Sequence, residues 1–130
     1  MPTKPWTTFY QPDDERKYLA LLTELPLRSF LDIKVLLGHA LNIQSQLRST
    51  PGVIGYSLSA KLFSKQFWTL SVWEDENALR AFVTNAPHLA AMKALRNRMK
   101  RTRFVRWKIL GSEYPPEWRE AFGRSNSDDS

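Results

Sequence analysis

The 130-residue chain has no cysteine. That excludes disulfides, Cys-ligated zinc, iron–sulfur clusters and thiol catalysis. It also lacks any apolar run near the roughly 20 residues of a membrane span, and its first residues lack the charged-then-apolar layout of a signal peptide. A cytoplasmic location is the expectation that follows. No GxGxxG, P-loop or GxSxG motif occurs, which argues against nucleotide binding and the common serine hydrolases. Two histidines and scattered carboxylates form no HExxH or 2-His-carboxylate set, so no metal site is expected. One local absence is sharper. Between Asn77 and Gly111 there is no Asp or Glu, while Arg80, Lys93, Arg96, Arg98, Lys100, Arg101, Arg103, Arg106 and Lys108 all lie there. This segment carries the whole formal excess of +6 and leaves the rest of the chain mildly acidic. Its plainest reading is a solvated helix end and the strand after it; phosphate binding is the alternative.

With 42% hydrophobic and 25% charged residues, the chain has the make-up of one globular domain. Residues 1–17 read as an aromatic N-terminal arm, with Trp6, Phe9 and Tyr10 available for docking. Residues 18–110 read as the folded unit, and residues 111–130 as an extension whose last residues are polar and mobile. Tyr18–Leu25 (YLALLTEL) fits a buried strand. Phe30–Arg48 carries apolar residues at helical spacing, with Ser29 and Asp32 placed as a capping box. Val53–Leu62 and Phe67–Trp73 read as a hairpin, with Ile54, Tyr56, Leu58 and Ala60 assigned to one face. Asp75 can cap a second helix, interrupted at Asn85-Ala86-Pro87 and resuming through His88, Leu89, Met92, Leu95 and Met99. Phe104–Leu110 is a last strand. Strand, helix, strand, strand, helix, strand is the ferredoxin-like α+β order: an antiparallel sheet with two helices on one face. The third strand is bulky on both sides, so its second face needs a cover. A second copy of the chain, forming a homodimer, is the simplest one.

At the third strand and second helix the chain reads FWTLSVWEDENALRAFVTNAPHLAAM. A strand ending in Trp, then acidic residues, an aromatic-bearing helix and a Pro-His pair resembles the antibiotic-biosynthesis-monooxygenase-like group of the dimeric α/β-barrel superfamily. The LTELPLRSF, PGVIGYSL and FVRWKI segments look more like an uncharacterised, spheroidene-monooxygenase-like bacterial branch. The resemblance implies a ligand cleft between sheet and helices, a hydrophobic or aromatic substrate, and either cofactor-independent oxygenation or haem degradation. The family's strand-end Trp matches Trp73, and the pocket Asn of quinone-forming members falls on Thr69. The Trp and ligating His of haem-degrading members fall on Phe82 and Met92, which disfavours haem as a cofactor.

His88 is the candidate acid–base residue, with an ordinary pKa suited to neutral pH and a position four residues before Met92. Its alternative is a structural hydrogen-bonding role. Trp73, Thr69, Phe82 and Met92 are expected around the substrate, and Arg28 and Arg80 are possible contacts for an anionic group. His39 has no partner at ligand spacing. Trp68 and Trp107 could stack on a flat ligand, although core packing is the commoner use of such residues. Two other classes compete with the small-molecule oxygenase: a non-catalytic interaction dimer, and nucleic-acid binding through the basic segment 93–108. The latter is disfavoured because FWTLSVW lacks the glycine-rich open strand of RNA-recognition domains.

Overall fold

The computed structural model describes residues 3–85 and 88–128. Pro87, expected in a first helical turn, and the last two residues of the expected mobile tail lie outside them. Five strands form one antiparallel sheet: β1 (Thr7–Thr8), β2 (Lys17–Pro26), β3 (Val53–Lys61), β4 (Gln66–Trp73) and β5 (Arg103–Leu110), in the order β1-β3-β4-β2-β5. Helices α1 (Asp32–Arg48), α2 (Glu76–Val83), α3 (His88–Leu95) and α4 (Trp118–Asp128) complete it. Leaving aside β1 and α4, this is the ferredoxin-like arrangement, with the second helix broken in two.

Strand β2 is central and buried on both sides, which is why it reads as a nearly continuous apolar run. Leu19 and Leu21 meet Leu79, Phe82 and Leu47 on the α1–α3 side, with Trp73 and Tyr56 beside them. Tyr18, Ala20 and Leu22 join Trp68, Leu70, Val72, Val105, Trp107 and Ile109 on the other. This second face is covered from within the chain. Trp6 from the arm, and Tyr114, Trp118, Ala121 and Phe122 from the extension, pack against it. Trp118 Nε1 donates to Ser57 Oγ (3.1 Å), and the Trp68 and Phe122 rings meet edge-on at 5.3 Å. The two-faced third strand is explained without a second chain.

The extension is thus a helix through Asp128, where a polar tail was expected. Short helices in polar sequence form when one face is buried; here Trp118, Ala121, Phe122 and Ser125 supply that face at i, i+3, i+4 and i+7. The arm docks as an edge strand, with Thr7 opposite Tyr56 and Phe9 stacked on Tyr56 at 6.0 Å. Ile54 departs from its expected face. A bulge between Val53 and Gly55 inserts one residue, so Ile54 joins the α4 side while Tyr56 faces α2. At the bulge, a Cβ on Gly55 would run into the Tyr114 hydroxyl and the Thr7 carbonyl, so the arm and extension require glycine there.

Helix α1 starts at Asp32 rather than Phe30, and the expected capping box does not form. Ser29 Oγ accepts from the Leu31 N–H (3.2 Å) instead. The Asp32 carboxylate is drawn away to Arg98, at 2.7 Å. Asp75 does cap α2, its Oδ1 accepting from the Ala78 N–H at 2.9 Å. Helix α3 ends at Leu95, short of Met99, which bridges to Leu27 instead.

Candidate functional site

The two sides of the sheet differ in closure. On β4, Trp68, Leu70 and Val72 are buried under α4 and the arm, whereas Phe67, Thr69 and Ser71 on the α1–α3 side are only partly covered. The accessible sheet floor is therefore on the side where the cleft was expected. Thr69 lies on it between Thr23 of β2 and Leu58 of β3. At the end of the same row Trp73 is closed over, and its Nε1 donates to Ser71 Oγ at 2.8 Å. Trp68 and Trp107 point to the opposite face and cannot share a ligand with Trp73.

An aromatic series leads from the sheet to α3. The Trp73 and Phe82 rings are centred 5.1 Å apart, and Phe82 and His88 4.9 Å apart. The break between α2 and α3 makes this possible, because the end of α2 leaves the Val83 carbonyl, and the second lone pair of a Phe82 carbonyl that already accepts from the Asn85 N–H, available to side chains. His88 Nδ1 lies 3.3 Å from the Val83 carbonyl oxygen. A carbonyl only accepts, so Nδ1 carries the proton and Nε2 holds the free lone pair of a neutral ring. Burial, the larger influence, pushes the His88 pKa below its ordinary value, and the Val83 carbonyl opposes that in part. The ring is thus neutral at pH 7 and suited to taking a proton at Nε2.

Gln46 of α1 escaped the sequence reading and organises this corner. Its Nε2 donates to the Phe82 carbonyl (3.3 Å), and its Oε1 accepts from the His88 N–H (2.9 Å). One amide thereby ties three helices together. The only sequence signal was its place beside the inward residues Ile43 and Leu47. A groove of about 530 Å³ opens between the end of α1 and α2, and Gln46 and Phe82 form part of its wall. It is open and partly polar, with Glu74, Asn77 and Asn85 also along it.

The remaining expected site residues stand apart. Met92 is 47% exposed, because Ala91 and Leu95 are the residues α3 turns inward. It does not share the His88 setting, and this also answers the haem question. The candidate iron ligand is on an outer surface, and no metal-holding cluster of His, Cys, Asp or Glu occurs among the described residues. The residues do not fit haem. Arg28 is turned to the backbone, its Nε donating to the Met99 carbonyl at 3.0 Å. Arg80 is exposed on α2. Within the basic segment, Arg98, Arg103 and Arg106 pair with Asp32, Glu24 and Glu76. Three of the nine cations between Asn77 and Gly111 are therefore balanced by carboxylates of the same chain.

The layered sheet and its helices define a ferredoxin-like α+β domain. The family model described as antibiotic biosynthesis monooxygenase matches residues 36–94. Solved structures share the fold at low identity. A conserved protein from Methanosarcina mazei is 13% identical, with a TM-score of 0.62 over 69% of this chain and 90% of its own. An antibiotic biosynthesis monooxygenase is 14% identical, with a TM-score of 0.64 over 71% of this chain and 98% of its own. SnoaB, a cofactor-independent oxygenase from Streptomyces nogalater, is 14% identical, with a TM-score of 0.52 over 77% and 98%. Among curated proteins no sequence relative matches.

Proposed function

We propose that the protein binds a hydrophobic, flat small molecule on the partly covered floor of β3 and β4. We propose further that it oxygenates that molecule without a cofactor. The observation that supports this reading is the Trp73–Phe82–His88 series, which ends in a neutral imidazole whose Nε2 has no hydrogen-bond partner among the described residues. The likeness in fold to a cofactor-independent oxygenase agrees with it. In such chemistry the substrate itself is the reductant. His88 removes a proton from an activated CH₂ or phenol, the resulting anion gives electrons to O₂, and the carbon gains one oxygen while the other leaves as water. Phe82, backed by the closed-over Trp73, orients the aromatic plane, and Thr69 offers a hydroxyl at the floor. Arg80, exposed on α2, would meet an anionic substituent. The cleft is built from one chain's residues, so the reading does not depend on a homodimer. A cytoplasmic location, consistent with the absence of cysteine, is part of it.

Oxygen uptake with an anthrone-type substrate tests the proposal. Wild type should consume oxygen with no added metal or flavin, and His88→Ala should lower kcat by about 10²-fold or more. Uptake unaffected by His88→Ala would remove His88 from the chemistry. The competing reading, a non-catalytic interaction protein, would be favoured if a range of such substrates neither bound nor consumed oxygen.

A further inference from the structure

The two ends of the sheet carry opposite charge. At one end lie Asp13, Asp14 and Glu15 before β2, Glu74, Asp75 and Glu76 after β4, and Glu113 after β5. The other end gathers the β3–β4 turn, the start of α1 and the approach to β5. Backbone bonds hold these together: Leu27 N–H to the Lys65 carbonyl (2.8 Å), Arg28 N–H to Arg98 (2.9 Å) and Lys100 N–H to Pro26 (2.8 Å). The sheet and α1 place two acidic residues here, Glu24 and Asp32, and each is ion-paired with an arginine. Among the described residues Arg28, Lys61, Lys65, Lys100 and Arg101 pair with no carboxylate.

Among those cations stand large apolar side chains. Phe63 is 96% exposed and Leu31 85%, with Phe30 and Leu62 about half exposed. Lys65 Nζ lies 5.0 Å from the Phe30 ring centre, which joins the turn to the α1 start. Lys65 also holds a left-handed backbone (φ 56°) that glycine adopts more cheaply, so the turn keeps a cation at some conformational cost. Exposed apolar groups clustered in this way mark a contact surface. They project from a turn and a loop rather than lining a groove. A partner that wraps convex tips without shape complementarity fits them best.

We infer that this end docks on an anionic lipid surface, with Phe63 and Leu31 entering the interface and the Lys and Arg side chains meeting the headgroups. The inference is independent of His88 and of catalysis. It can be tested by sedimenting the full chain with phosphatidylcholine vesicles and with phosphatidylcholine–phosphatidylserine vesicles. The chain should pellet with the mixed vesicles only, and less so as salt is raised. Both L31S–F63S and K61Q–K65Q should weaken that binding about tenfold, while Lys17→Gln at the opposite end should leave it unchanged. Thermal melts of the variants check that they remain folded; Leu31, Lys61 and Phe63 are exposed and Lys65 is partly so. Three results would overturn the inference: no binding to mixed vesicles, binding insensitive to L31S–F63S, or vesicle-free self-association abolished by Phe63→Ser. Equal affinity of wild type and L31S–F63S for duplex DNA, together with no preference for mixed vesicles, would assign the cations to nucleic acid instead.

Discussion

His88 sits where its neutral form is favoured, and this has a consequence for stability with a definite sign. Its folded pKa lies below the ordinary value of about 6.5 that the unfolded chain shows. Above that pH both states are neutral and the residue contributes no pH dependence. As pH falls through about 6.5, the unfolded chain takes up a proton that the buried ring resists, so folding loses free energy until the folded pKa is reached. His88→Asn removes this dependence. Urea midpoints measured from pH 8 to 5 should therefore fall more steeply for wild type than for His88→Asn. Parallel curves would mean that the ring is not desolvated as described. The sequence marked His88 as a candidate but could not reveal its tautomer. That depends on a carbonyl freed by the break between α2 and α3, and helical periodicity records no such break in hydrogen bonding.

At the scale of elements, Asp32 and Arg98 join the first turn of α1 to the turn after α3. The pair is asymmetric: Asp32 is buried, while Arg98 is about half exposed. Arg98→Met leaves a buried carboxylate without its cation and should cost up to about 3 kcal/mol. Asp32→Asn leaves a solvated guanidinium and a side chain that can still accept its hydrogen bond, so it should cost clearly less. Chemical denaturation of the two variants checks the order. The same pair shows why strands and most helices were legible while their ends were not. Alternation in β2 and β4, the Asp75 cap and the inward stripe of α1 are local properties. The failed capping box at Ser29 is not, because the carboxylate that would complete it is claimed by an arginine 66 residues away. Met92 was misplaced for a related reason. His88 and Met92 do share spacing, but α3 is rotated by the burial of Ala91 and Leu95.

For the molecule as a whole, the cover on the second face matters most. Ala121, on the inward face of α4, is fully buried against the sheet. Ala121→Arg would force a charge into that contact, unseat the helix and uncover Trp68, Leu70 and Val72. The variant should self-associate in light scattering and lose amide protection along Trp118–Ser125. A variant that stayed monodisperse and protected would show that α4 is not what closes this face. The sequence pointed to a covered face, and the arm and α4 supply that cover from within the chain. The helix that does the covering is mostly polar, and its four inward residues lie beyond the last strand, where no sheet periodicity frames them. A last consequence follows from the strand order. The sheet has two rims whose backbone groups could pair with another strand. β1 is only two residues long, and β5 presents Arg106 and Lys108 on its exposed face, with Arg103 on the other. Stacking a second β5 alongside would bring the like charges of Arg106 and Lys108 together. The arginine and lysine that first looked like a ligand-binding clue also protect the protein against fibrillar, rim-to-rim association.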